Sequence, residues 1–104
     1  MNTELIEKTA ELAARIDNLV VHQPEKYHRQ LLALQDQLAK LDLVIIVKEL
    51  NAEHEAYQRA IAGINQAIDF IGEAERKITK INEAIDGIVQ AINSIEQALL
   101  DTVI

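Results

Sequence analysis

Glu25-x-x-His28 places a carboxylate and an imidazole three residues apart, close enough on a helix to ligate one metal ion. Carboxylate di-metal bundles use two such pairs plus single glutamates from two further helices, all facing inward. Glu49, Glu53 and His54 are the other candidate ligands. No second Glu-x-x-His exists in the sequence, however. On a helical wheel Glu25 and His28 also turn away from the apolar line of Tyr27, Leu31 and Leu34. No metal site and no cofactor are expected, and a carboxylate-type metal-binding bundle is carried only as an alternative.

Other chemistry has less to stand on. The chain has no cysteine, so it has neither disulfides nor thiolate ligands, and its one serine, Ser94, is not in a nucleophile elbow. Gly63, Gly72 and Gly87 are isolated inside helical pattern and do not form a phosphate loop. His22 precedes the only proline by two residues and reads as a turn residue. Glu75 and Asn82 lie nearest an isoleucine seam, and their expected role is structural. No enzyme activity is expected.

The elements that would position any site are helices. Leu5, Thr9, Leu12, Ile16 and Leu19 alternate steps of four and three, as do Tyr27, Leu31, Leu34, Leu38, Leu41 and Ile45. Asn2 or Thr3 can cap the first helix, and Pro24 fits the first turn of the second. From Ala60 onward the sequence repeats Ala-Ile-x-x-Ile-x-x, interrupted by the three residues Ile81–Glu83. Such an insertion overwinds a coiled coil locally. The seam is Ile61, Ile64, Ile68, Ile71 before it and Ile78, Ile81, Ile85, Ile88, Ile92, Ile95, Leu99 after it. Asn51 can cap a third helix, with Glu53 and Glu55 in its first turn. The expectation is a single all-α domain over residues 1–104, with helices at about 3–21, 24–50 and 54–101. Its architecture would be an elongated antiparallel hairpin or three-helix bundle with coiled-coil heptads. A turn near Gly72, or none after Pro24, are the other readings.

One stretch departs from the narrow-stripe pattern. In Leu41-Asp-Leu-Val-Ile-Ile-Val-Lys-Glu-Leu50, the seam residues Leu41 and Ile45 are joined by Leu43, Ile46, Val47 and Leu50 on the opposite side. No second β-like run could pair with it as a strand, and it is too short to span a membrane. A helix buried on two sides fits best. The stripe over Ala84–Leu99 also spreads over about half the helix circumference, more than one neighbour covers. Two or three narrow helices bury little, so a bundle of four or more, made from two chains, is expected.

Composition sets the outer bounds. The 104 residues are 49% hydrophobic but only 3% aromatic, with one proline and three glycines, which suits helix packing and not an all-β domain. A net charge of −7, with no basic residue after Lys80, argues against a nucleic-acid surface. The polar N-terminus lacks the features of a signal peptide, so a cytoplasmic location is expected, with signal-less secretion left open. In size, acidity and hairpin pattern the chain resembles the small secreted helical-hairpin proteins marked by a Trp-x-Gly turn, but it has no tryptophan. That resemblance implies a third class, a secreted or membrane-active hairpin. The leading expectation is a non-enzymatic, self-associating helical bundle acting as adaptor, scaffold or assembly subunit. Its expected partner is a second copy, with a further protein partner open. The residues expected at interfaces are Leu43, Ile46, Val47, Leu50, Ile85, Ile88, Ile92 and Ile95.

Overall fold

A computed structural model of the chain describes residues 2–103. Its helices are α1 (Thr3–Val21), α2 (His28–Val47), α3 (Glu55–Arg76) and α4 (Ile81–Asp101). The third helix expected from sequence is therefore two. A continuous helix over residues 54–101 would be about 72 Å long at 1.5 Å per residue. The molecule measures 42 × 20 × 17 Å.

The break falls beside the three-residue insertion. Lys77 is extended, with φ −143° and ψ 105°, and Ile78–Lys80 forms a single 3-10 turn before α4 begins at Ile81. No glycine or proline marks it. The phase slip does: once the seam jumps by three residues, a straight helix cannot keep both halves facing one core. Turning back lets α3 and α4 bury their stripes against each other.

Four helices thus come from one chain, and the isoleucine stripe of the last helix is covered within a single protomer, while part of the 41–50 stretch is not. The α1–α2 and α3–α4 hairpins lie side by side, α1 against α3 and α2 against α4. Gln23 Nε2 donates to the Ala74 carbonyl at 3.4 Å, which puts the α1–α2 and α3–α4 turns at the same end. At the opposite end the Asn51 amide donates to the Thr102 carbonyl at 2.8 Å, and Leu50 pairs with Val103 in an isolated antiparallel bridge.

Most of the seam positions read from sequence are core, but Ile78 is exposed and Tyr27, Leu34, Leu41, Ile68 and Leu99 are half-buried. Leu5, Thr9, Leu12, Ile16 and Leu19 are all fully buried on α1. On α3 and α4 small residues flank the isoleucines, which lets the helices approach closely. Ala60, Ala67, Ala74, Ala84, Ala91 and Ala98 are all buried, and a Cβ built on Gly87 would lie 3.5 Å from the Ala67 Cα. Burial of such apolar surface contributes about 25 cal/mol per Å².

The caps differ from those expected. Asn2 occupies the N-cap position of α1 but makes no side-chain cap there. The Leu5 amide in that first turn donates instead to the buried Tyr57 hydroxyl at 3.2 Å. A free backbone donor is thereby satisfied by a side chain from α3. α2 starts at His28, after a 3-10 turn over Glu25–Tyr27, and not at Pro24. His54, not Asn51, caps α3: its Nδ1 accepts from the Ala56 amide at 3.0 Å. Asn51 Oδ1 accepts from the Glu53 amide at 3.0 Å and shapes the preceding loop.

Candidate functional site: the outer face of α2

The eight residues expected at an interface divide sharply. Ile85, Ile88, Ile92 and Ile95 are buried in the protomer's own core, because α3 folds back onto α4. Leu50 is also buried, covered by the chain's C-terminal end at its bridge to Val103. These five offer no outer surface. Leu43, Ile46 and Val47 are 66%, 54% and 78% exposed.

α2 is the helix that exposes most. It buries fully only Leu31, Leu38 and Ile45, one residue per two turns, while Tyr27, Leu34 and Leu41 are half-buried. α1 and α4 flank it, and among the described residues no helix packs on its far side. At 100° per residue that outer face carries Arg29, Leu32, Asp36, Ala39, Lys40, Leu43 and Val47, with Val44 and Ile46 at its edges. Leu32 is 46% exposed and sits eleven residues, three turns, before Leu43. Sequence reasoning missed its part in the stripe. The signal was the eleven-residue spacing, which shares a wheel position with Leu43 but is hidden by Asp36 between them.

The C-terminal end of this face is held rigidly. Lys48 leaves the helix in an extended conformation, its amide donating to the carbonyls of Val44 and Ile45. The buried Asn2 side chain donates to the carbonyls of Ile45 (3.2 Å) and Lys48 (2.5 Å) and accepts from the Leu50 amide at 3.2 Å. One side chain from the start of α1 thus fixes where α2 ends. The same corner forms a groove lined by Asn2, Ile6, Ile46, Val47, Lys48 and Glu49.

Charge on the face is arranged along it. Lys40 Nζ lies 2.9 Å from Asp36 one turn earlier, and this hydrogen bond raises the Lys40 pKa. Inward of the apolar edge, Asp42 Oδ1 is buried with no donor among the described residues, and burial pushes its carboxyl pKa up.

The metal candidates are separated. Glu25 and His28 lie at the α1–α2 turn, and Glu49, Glu53 and His54 at the far end of α2 and the loop after it. His28 Nε2 donates to the Gln23 carbonyl at 2.8 Å, and His54 Nδ1 is occupied by its cap. Among the described residues no three His, Cys, Asp or Glu side chains could hold one ion. Glu75 replaces the isoleucine of the repeat because it faces α1: it accepts from Arg15 Nη2 at 3.0 Å and from Asn18 Nδ2 at 2.8 Å. Asn82 is exposed, and His22 Nδ1 donates to the Asn18 carbonyl at 2.9 Å.

Among the described residues no helix is long and apolar enough to cross a membrane. No family model, curated protein or solved structure matches the chain.

Proposed function

We propose that this chain is a non-enzymatic, self-associating helical protein, an adaptor, scaffold or assembly subunit working through the outer face of α2, with a dimer as its smallest assembly. The observation that carries the reading is the exposure of Leu43, Ile46 and Val47 together on the last turns of α2. The rest of the chain has the composition to bury its large apolar residues and buries most of them. Contiguous exposed apolar surface on a soluble chain is characteristic of partner sites. Each of the three side chains stands to gain on the order of 1 kcal/mol from being covered. A cytoplasmic location belongs to the same reading.

The test uses Ile46→Lys with Val47→Lys. Both side chains are mainly exposed, so the protomer keeps its core and its melting temperature. Light scattering of the parent chain gives a mass above the 11.7 kDa protomer, and the double variant falls back toward it. Equal masses for the two at every concentration would remove the reading.

A further inference from the structure

We propose that the occupant of the α2 outer face is a second copy of this chain, docked antiparallel about a two-fold axis at the level of Gln37 and Leu38. The proposal rests on the self-association reading above and specifies its geometry.

The face is self-complementary in this one orientation. A two-fold contact must match a patch to itself, so residue i of one copy meets j of the other and j meets i. With the axis at that level, positions 32 and 43 oppose each other. Leu32 of each copy then covers Leu43 of the other, and the aliphatic stem of Arg29 lies along Ile46 and Val47. Ala39, small and exposed, faces position 36 and lets the helix backbones approach.

Charge selects the same direction. Asp36 and Lys40, paired within each chain at 2.9 Å, come within one residue, about 1.5 Å along the helix, of Lys40 and Asp36 of the second copy. The four form an alternating cluster. The parallel alternative sets Asp36 against Asp36 and Lys40 against Lys40, and like charges directly opposed are unfavourable. The ends agree. Toward the end that carries the α1–α2 and α3–α4 turns, Lys26, Arg29, Arg76, Lys77 and Lys80 roughly balance Glu25, Glu73, Glu75 and Glu83. Toward the other, Glu4, Glu7, Glu49, Glu53, Glu55, Glu96 and Asp101 outnumber Lys8, Lys48 and Arg59. Antiparallel docking brings Lys26 and Arg29 alongside Glu49 of the second copy, whereas parallel docking stacks the acidic ends together. That acidic end also disfavours an anionic lipid surface as the occupant.

The size of the face sets the strength. α2 is 20 residues, about 30 Å long and one helix wide. Such a strip falls short of the roughly 1,200 Å² at which standard stable interfaces begin, so the dimer is concentration-dependent and not obligate.

Single-cysteine variants test the register, because the chain has no cysteine of its own. Leu32→Cys and Leu43→Cys are prepared separately, one with a mass tag, then mixed and oxidised. A disulfide needs Cα atoms within about 7 Å. The mixture yields the mixed disulfide, while either variant alone stays unlinked, since a residue and its own copy lie about 17 Å apart along the helix. Sedimentation over a concentration series runs alongside. Charge is tested with Asp36→Lys and Lys40→Asp: each alone weakens the dimer about tenfold or more, and mixing them restores it. A dimer that links Leu32→Cys to itself, or never gives the mixed disulfide, overturns the geometry and leaves self-association standing. A protomer mass at every concentration overturns both.

Discussion

Replacing Asn2 with alanine should unfasten the end of α2 from the start of α1. Asn2 is 4% exposed and its side chain makes three hydrogen bonds, two as donor to the Ile45 and Lys48 carbonyls and one as acceptor from the Leu50 amide. Leu50 is itself buried, so its amide is left without its partner. A net hydrogen bond is worth about 1 kcal/mol, and an orphaned buried donor costs about 1–3 kcal/mol. Lys48 is exposed, and water replaces the bond to its carbonyl at little cost. The sum is a loss of about 2–3 kcal/mol. For a domain of this size that is on the order of 10–15 °C in melting temperature. Thermal unfolding followed by circular dichroism gives the first number. Hydrogen exchange gives the second, with the Leu50 amide losing protection well before amides in the middle of α3. A melting temperature within about 2 °C of the parent, with Leu50 still protected, would refute the view that this side chain fixes the corner.

The two glycines at the α3–α4 contact should respond with opposite sign. A Cβ on Gly63 meets Ser94 Oγ at 3.5 Å, an ordinary contact, so Gly63→Ala gains about 0.5–1 kcal/mol of helix propensity in urea unfolding. A Cβ on Gly87 comes 2.8 Å from Phe70 Cδ2, and displacing that ring makes Gly87→Ala net destabilising by about 1 kcal/mol. Asp42→Asn should raise the melting temperature at neutral pH. The carboxyl pKa is raised in the fold, so the folded state holds the proton more tightly and ionisation of Asp42 costs stability as pH rises above the ordinary carboxylate range. The advantage of the variant therefore shrinks as pH falls through the raised pKa, and a gap that is the same at pH 3 and pH 7 would contradict this. Glu75→Gln should cost about 0.5–1 kcal/mol at low salt, the worth of a part-exposed ion pair, and the difference should close toward about 1 M salt.

The helical faces were legible from the sequence by itself. All five α1 seam residues lie where their four-three spacing put them, and so do Ile64, Ile71, Ile88 and Ile95 on the later helices. Spacing suffices there because a helix has one period, so the stripe fixes which side turns inward; Ile78, at the break between α3 and α4, falls on the seam and is still 55% exposed. The turn after α2 was also legible, although its cap was not. His54 takes that role because its ring nitrogen reaches the Ala56 amide, a matter of loop geometry and not of residue preference.

Tertiary structure alone decided which stripe meets which. The slip at Ile81–Glu83 is compatible with either an overwound helix or a reversal. Only the gain from packing α3 on α4 chooses the reversal, and that choice buries Ile85, Ile88, Ile92 and Ile95 inside one protomer. The same choice gives the chain its own four helices, so a partner is not required to complete the core. For residues 41–50 the sequence marked two apolar sides but not their fates. Leu50 is covered because α4 ends beside it, while Leu43, Ile46 and Val47 stay outside because α1 and α4 pack against the other side of α2. Periodicity is a property of one helix; burial is a property of its neighbours, and the chain's path supplied those.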